Sequence, residues 1–274
     1  MVISILQQTK HFAVINKPPF VFSQQNTPHK STARWDENRT VIELLNLDTD
    51  AFLSNPEPPY CKPRLVQRLD YGVSGAMIVA TSMMAAQLFS RNLKFGGDKG
   101  WPIKKIYLAL VEPLKDSPLV KSRGIRRNRY LKLDSRPDGS LFGEISKPLL
   151  IQRDDLEGND CLTKYQVLSH LKDGTVLMAL QPVTGRKHQL RRHCAEVLLA
   201  PVVGDVRYGY KGVTHSQQLA LHSWRINYKA GLNWDATIAP ILWGTKDLWQ
   251  HVVDSKTGLV LPTHTANYQE ENWT

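Results

Sequence analysis

The sequence predicts an α+β fold in which helices flank a mixed, largely antiparallel β-sheet. Strand-like segments dominate the chain, and several of them alternate apolar and polar side chains with the two-residue period of a half-buried strand. This alternation is clearest over residues 105–111 and 175–180. Three amphipathic stretches with helical periodicity interrupt the strands, and we expect them to pack on the sheet.

The predicted strands are short and are distributed along the whole chain. They cover residues 12–15, 76–80, 104–111, 162–169, 175–182 and 218–228, and a further strand-like stretch lies over 2–6. Residues 65–67 predict another strand. That strand leads through a turn containing Gly72 and Gly75 into the strand at 76–80.

Three helices are predicted from capping residues and apolar periodicity. Thr40 and Glu43 have the spacing of a capping box at the start of the first helix. Ser82 is placed to cap the second, whose apolar face is formed by Ala85, Leu88, Phe89 and Leu93. The third is predicted from about Arg186 to Leu199, with one face formed by Leu190, Cys194, Val197 and Leu198.

Composition limits the classes of partner. The 274 residues suffice for one large domain or two small ones, and the 42% apolar content supports a core. No apolar run is long enough to span a bilayer, so no membrane partner is expected. The net charge of +10 predicts an anionic partner, with nucleic acid the leading candidate, although a merely basic soluble protein has the same composition.

The cysteines and histidines do not predict a metal site. Cys61, Cys161 and Cys194 show neither disulfide spacing nor a Cys-x-x-Cys motif, and they are predicted to be buried thiols in a reducing compartment. His188 and His193 are spaced so that they fall on different sides of a helix, which argues against zinc. The first residues form neither a secretory signal nor an Arg-rich and Ser-rich leader, which argues against secretion but leaves import into an organelle open.

Two separated segments carry the strongest functional signal. The first is Arg68-Leu69-Asp70-Tyr71-Gly72, in which a carboxylate lies between a cation and a tight turn. The second is Gly185-Arg186-Lys187-His188-Gln189-Leu190-Arg191. Together they resemble the RluA-type pseudouridine synthases, enzymes that isomerise uridine in RNA to its C-glycoside. The similarity extends in family order through 14–18, 105–109, 201–209 and 221–223, although Gln67 and Val73 stand where most members have His and Thr.

The resemblance implies a reaction that needs no cofactor, no metal and no redox change. Asp70 is the acid in the matched turn and is expected to be the nucleophile, attacking either the ribose or the base. On local grounds alone it would be a turn-capping aspartate. Arg191 is the residue that the family places against this carboxylate, where a guanidinium favours the ionised form. Arg192, the next residue, is the alternative partner for Asp70, but on a helix its side chain points about 100° away from that of Arg191.

Other residues are expected to handle the RNA. The resemblance implies that Arg68 enters the RNA as the target uridine leaves the stack, and that Tyr107 offers the flipped base an aromatic face. Tyr107 is alternatively an ordinary sheet residue. Phosphate contacts are predicted for two groups of basic residues. The first lies in a basic run that would otherwise be a solvated loop and comprises Arg126, Arg127 and Arg129. The second lies in or beside the second motif and comprises Arg186, Lys187 and Arg192. Lys17 is interpreted as structural.

The sequence therefore predicts an RNA pseudouridine synthase, with one catalytic domain over residues 1–274 and no added RNA-binding module. We expect a monomer, and we interpret residues 55–59 as an insertion. The form of the Asp70 turn is most similar to fungal members that act on mitochondrial large-subunit rRNA, which implies a mitochondrial location, with the cytoplasm as the alternative. The segment 187–193 equally resembles bacterial members that act on tRNA. A catalytically inactive RNA-binding assembly protein and a nucleoside hydrolase remain as alternatives, although the hydrolase would need a second acid.

Overall fold

The computed structural model divides the chain into two units. The first comprises Met1–Lys104 and Ser223–Trp243, and the second comprises Lys105–His222 and Gly244–Thr274. The structure describes residues 3–24, 40–47, 60–95, 99–120, 128–137, 139–149, 160–213, 218–244 and 247–269. Assignment of the whole chain to one catalytic domain stays a prediction. In the described residues no helix has the length and apolar character needed to cross a membrane.

The strands, in chain order, are β1 (Ser4–Gln8), β2 (Phe12–Lys17), β3 (Tyr60–Leu65), β4 (Ser74–Ser82), β5 (Ile103–Val111), β6 (Leu131–Ser135), β7 (Leu141–Ile145), β8 (Thr163–His170), β9 (Val176–Pro182), β10 (Leu221–Tyr228) and β11 (Asp235–Ile238). All six predicted strands are present. The prediction missed the hairpin of β6 and β7 and the short strand β11.

In the first unit, the fully buried strand β2 lies between β1 and β4 and is antiparallel to both. Strand β3 is also antiparallel to β4, and β11 is antiparallel to β10. In the second unit, β5, β9, β8, β7 and β6 follow one another as antiparallel neighbours. The predicted α+β class with a largely antiparallel sheet is therefore confirmed.

The described residues of the first unit include the helices α1 (Val41–Leu47) and α2 (Met83–Phe95). Both predicted caps are present: Glu43 accepts a hydrogen bond from the backbone N–H of Thr40 at 2.7 Å, and Ser82 Oγ accepts one from the N–H of Ala85 at 3.2 Å. The predicted apolar face of α2 was wrong in one position. Leu93 is exposed, and the buried position belongs to Asn92, whose side chain accepts a hydrogen bond from the N–H of Ile103.

The second unit contains the helices α3 (Gln189–Glu196) and α4 (Pro262–Thr265). The apolar residues predicted for the third helix are all buried, but α3 begins three residues later than predicted and ends three residues earlier. His188, with φ 54°, and Leu199, with φ 48°, adopt left-handed conformations that interrupt a right-handed helix at either end. Arg186 and Lys187 consequently lie in the turn before α3.

Candidate active site

The turn that carries Asp70 connects β3 to β4 in the first unit. Its backbone closes through a 3.1 Å hydrogen bond from the N–H of Val73 to the carbonyl of Asp70. Arg68 is exposed, Leu69 is buried and Asp70 is half-buried. The turn thus anchors itself through Leu69 and leaves the two charged side chains nearer the surface.

Residues after β2 form hydrogen bonds with the backbone of the Asp70 turn. Ser23 Oγ donates a 2.7 Å hydrogen bond to the carbonyl of Leu69 and accepts a 3.0 Å bond from its N–H. The N–H of Phe20 donates to the carbonyl of Tyr71 at 2.7 Å. Because the residues on both sides of Asp70 are bonded through their backbones, the direction in which the Asp70 side chain leaves the chain is fixed.

A buried lysine stabilises the same segment. Lys17 is fully buried at the end of β2, and its Nζ donates 2.8 Å hydrogen bonds to the carbonyls of Pro18 and Val21. Burial lowers the pKa of Lys17 to about 7, and the negative charge of Asp70 partly opposes this shift. These contacts agree with the structural role predicted for Lys17.

Close packing at the start of β4 requires a glycine after the turn. Gly75 has φ 114°, and a Cβ on it would lie 2.3 Å from the carbonyl oxygen of Ser223 on β10. Ser223 Oγ in turn donates a 2.8 Å hydrogen bond to the carbonyl of Ala76. A larger residue at position 75 would separate β4 from β10 and move the end of the turn.

In the second unit, Arg191 forms a buried ion pair. Its Nε and Nη2 donate hydrogen bonds of 2.6 and 2.8 Å to the two carboxylate oxygens of Asp205. Both residues are almost completely buried, and the guanidinium carbon lies 5.0 Å from the ring centre of Tyr208. This bidentate geometry holds the guanidinium in one plane. Asp205 and Tyr208 were missed as partners, although the matched segment 201–209 contains both of them.

The turn before α3 is fixed by one buried amide. Gln189 Oε1 accepts hydrogen bonds from Thr184 Oγ1 and from the N–H of Arg186, while its Nε2 donates to the carbonyl of Leu162 and to Thr163 Oγ1. His188 Nδ1 lies 2.8 Å from the hydroxyl of Tyr208. Arg186 and Lys187 remain exposed on this rigid turn, as a contact with phosphate requires.

Arg192 differs from the exposed Arg186 and Lys187 because its side chain is already paired with an acid. Its Nε donates a 2.8 Å hydrogen bond to Glu196, which also pairs with Lys147. Although burial alone would raise the pKa of Glu196, the hydrogen bonds from the two cations lower it. Only 21% of the Arg192 side chain is exposed. The predicted contact with RNA stays a prediction and would compete with this ion pair.

The remaining residues predicted to contact RNA are Tyr107 and the arginines of the basic run. Tyr107, on β5 opposite Leu180, is only 7% exposed, so little of its ring is available for stacking. Arg129 is exposed, and its guanidinium lies over the ring of Tyr130 and contacts its hydroxyl. Arg126, Arg127 and residues 55–59 lie outside the described residues. Asp70 and Arg68 belong to the first unit, whereas Tyr107 and Arg191 belong to the second.

His193, Cys161 and Cys194, which the sequence analysis considered as metal ligands, are buried in the second unit. His193 is buried, with its ring nitrogens 2.9 Å from Thr163 Oγ1 and 3.1 Å from the carbonyl of Lys147, and burial lowers its pKa. Cys161 and Cys194 are buried free thiols, as predicted, and burial raises the pKa of Cys194 to about 12. In the part of the chain that the structure describes, no group of acidic, histidine and cysteine side chains has the arrangement of a metal site.

Comparison with known proteins gives consistent matches. A family model described as RNA pseudouridylate synthase matches residues 11–196. The chain is 32% identical to the 21S rRNA pseudouridine(2819) synthase of Kluyveromyces lactis, over 91% of this chain and 72% of the relative. It is 29% identical to the Saccharomyces cerevisiae protein of the same name, over 99% and 97%. Ribosomal large subunit pseudouridine synthase D of Borreliella burgdorferi is 28% identical, over 84% and 62%.

Solved structures give the same fold. Human RNA pseudouridylate synthase domain containing 4 superposes with a TM-score of 0.56 at 20% identity, covering 86% of this chain and 87% of that one. Human RNA pseudouridylate synthase domain containing 1 gives 0.57 at 22% identity, covering 89% and 86%. These likenesses confirm the predicted fold.

Proposed function

This chain belongs to the RNA pseudouridylate synthase family and is an RNA pseudouridine synthase, and we propose that it modifies a uridine of mitochondrial large-subunit rRNA with Asp70 as its nucleophile. We choose this RNA because the chain is similar, over nearly its whole length, to fungal enzymes named for 21S rRNA. Two plant relatives are named as mitochondrial. Bacterial relatives are also named for the ribosomal large subunit, which favours rRNA over tRNA.

The proposed reaction is an isomerisation that conserves every atom of the nucleoside. The bond from ribose C1′ to uracil N1 breaks, and a bond from C1′ to C5 forms. The proton on C5 is released and N1 takes up a proton, so no oxidant or reductant is required. The Asp70 carboxylate forms a transient bond with the ribose or the base and then leaves.

The contacts of Asp70 support its role as this nucleophile. A nucleophile must be held in one direction and still reach the substrate. Hydrogen bonds from Ser23 and Phe20 fix the backbone on either side of Asp70, while its side chain is only half-buried. The negative charge of Asp70 raises the pKa of Lys17 against the larger effect of burial, which is consistent with a carboxylate at this position.

The remaining roles follow from the family resemblance and form part of the proposal. Arg191 is assigned to keep the nucleophilic carboxylate ionised, and the Asp205 pair keeps its guanidinium in a fixed plane. Arg68 is exposed, as insertion into the RNA requires. Tyr107, which is 7% exposed, is assigned to contact the flipped uracil.

The deciding experiment is pseudouridine mapping of total RNA in a deletion strain of the source organism. We expect one site in mitochondrial large-subunit rRNA to lose its pseudouridine, and the wild-type gene to restore it. Asp70→Asn should fail to restore it, while Asp235→Asn, which changes an exposed acid on β11 of the same unit, should restore it fully. Loss of a tRNA site instead would refute the assignment to rRNA, and restoration by Asp70→Asn would refute the nucleophile.

A further inference from the structure

Three aromatic side chains form a partly exposed cluster beside Asp70. The rings of Phe22 and Tyr71 lie 4.5 Å apart between centres, with 31° between their planes, and Phe20 lies 5.7 Å from Tyr71. Each of the three is half-buried. Tyr71 follows Asp70 directly in sequence, so the cluster lies one residue from the proposed nucleophile.

The backbone is strained at this cluster. Phe20 has φ 62°, a left-handed conformation that a bulky residue adopts only at a cost in free energy. Lys17 bonds the carbonyls of Pro18 and Val21 on either side of Phe20, and the N–H of Phe20 bonds the carbonyl of Tyr71. Strain that is held in place by this many contacts is typical of functional sites.

Core packing does not account for the exposure of these rings. Phe12 and Phe89, which meet edge to face in the core of the same unit, are buried. The rings of Phe22 and Tyr71 are instead closer to parallel and partly exposed. The exposed Arg68 lies just before Asp70 and Tyr71 in the same segment, and the protein carries a net charge of +10. An anionic strand with flat, apolar bases fits this combination.

We propose that Phe20, Phe22 and Tyr71, the aromatic platform, stack a nucleobase next in sequence to the target uridine. Stacking there would hold the strand in place while the uridine leaves its own stack. This inference rests on the proposed function, since it assumes an RNA substrate. It assigns to these residues a contact with a base that is not itself modified.

The test combines changes in the protein with changes in the RNA. The probe is a short hairpin of the 21S rRNA segment around the uridine named by the fungal relatives, with 2-aminopurine placed in turn on each side of it. Binding is measured with Asp70→Asn protein so that the RNA is not converted. We expect quenching at one flanking position, and we expect Phe20→Leu to raise Kd about fivefold or more.

The decisive comparison repeats the measurement with that flanking base removed. If Phe20 and Tyr71 stack on the base, the Phe20→Leu and Tyr71→Leu substitutions should raise Kd on the intact RNA and leave it unchanged on the abasic RNA. Phe20→Tyr, which keeps an aromatic ring, should retain wild-type Kd. Phe95→Leu, which removes an exposed ring elsewhere in the same unit, is the matched control and should affect both RNAs equally.

Phe20→Gly separates binding from folding. Glycine adopts φ 62° without strain, so this variant should unfold at no lower urea concentration than Phe20→Leu and should still lose affinity for the intact RNA. Equal losses on intact and abasic RNA, or no loss on either, would overturn the aromatic platform. Because wild-type conversion of the same hairpin to pseudouridine is measured separately, that result would leave the proposed function standing.

Discussion

The turn that carries Asp70 and the helix that carries Arg191 are stabilised in different ways. In the first unit, Ser23 and Phe20 hold the turn through its backbone, at Leu69 and Tyr71. In the second unit, the helix is held through the side chain of Arg191, which forms two hydrogen bonds with Asp205. The first arrangement leaves the Asp70 side chain half-exposed, whereas the second buries both charges.

This difference predicts how each region responds to substitution. A backbone hydrogen bond does not depend on which side chain the bonded residue carries, so the carboxylate of the turn can be changed at small structural cost. A buried ion pair depends on both side chains, and loss of one leaves the other charged and desolvated. Changes at the turn should therefore affect chemistry first, and changes at the ion pair should affect folding first.

The largest effect is expected at the ion pair. Arg191→Met and Asp205→Leu should each lower the free energy of unfolding by about 3–5 kcal/mol, because each leaves one buried charge without its partner. The double variant should be more stable than the sum of the single losses implies. Urea unfolding of the three proteins measures this coupling. Additive losses would show that Asp205 is not the partner on which Arg191 depends.

The next largest effect concerns the pH dependence of stability at Lys17. Its pKa is about 7 in the folded protein and 10.5 in the unfolded chain, so between these values the unfolded state binds more protons. Stability should therefore rise with pH across that window, by up to about 1.4 kcal/mol per pH unit from this group. Below pH 7 both states are protonated and the contribution is constant. Lys17→Met should lack this rise, which urea unfolding from pH 6 to 9.5 measures.

The same experiment on Asp70→Asn tests the link between Lys17 and the turn. The negative charge of Asp70 raises the pKa of Lys17 against the effect of burial. Removal of that charge should lower the pKa further, so the rise in stability should begin at a lower pH than in the wild type. An unchanged onset would mean that Asp70 and Lys17 do not interact in solution.

A smaller effect is expected at Ser23, for which the second unit provides a matched control. Ser117 Oγ also donates to one backbone carbonyl, of Leu198, and accepts from one backbone N–H, of Leu119. Ser23→Ala and Ser117→Ala should each cost about 1–3 kcal/mol, because each leaves a buried donor unsatisfied. Only Ser23→Ala should also lower kcat, since only Ser23 holds the Asp70 turn. Equal kcat values in the two variants would contradict this assignment.

The sequence predicted the strands well because their alternation is a local signal. Both helix caps were predicted for the same reason, since a capping residue and its target are close in sequence. The limits of α3 could not be predicted, because no local pattern required the left-handed conformations of His188 and Leu199. Leu93 was wrongly predicted to be buried, and Asn92 is buried instead, because its side chain supplies the acceptor for the N–H of Ile103, eleven residues away.

The proposed site residues stay predictions, and the sequence pointed to some of them but not to the contacts that hold them. The resemblance supplied Asp70, Arg68, Tyr107 and Arg191, whereas Asp205 and Ser23 were missed. Asp205 is fourteen residues from Arg191 and Ser23 is forty-six from Leu69. Such contacts depend on which turns the fold brings together, and although Asp205 lies in the matched segment 201–209, no local pattern identifies Arg191 or Leu69 as the partner. The aromatic platform was missed for the same reason, because Phe20 and Tyr71 meet only after folding.

The smallest predicted effect separates two kinds of cation in the second unit. Arg186 and Lys187 are exposed on the turn before α3, whereas Arg192 is paired with Glu196. Replacing Arg186 and Lys187 together by Ala should reduce the slope of log K against log salt by about 1.4, since each phosphate contact to a single strand contributes roughly 0.7. Arg192→Ala should leave the slope unchanged. If Arg192→Ala reduces it as much as one exposed cation does, the Glu196 pair opens when RNA binds, and the prediction that Arg192 contacts RNA gains support.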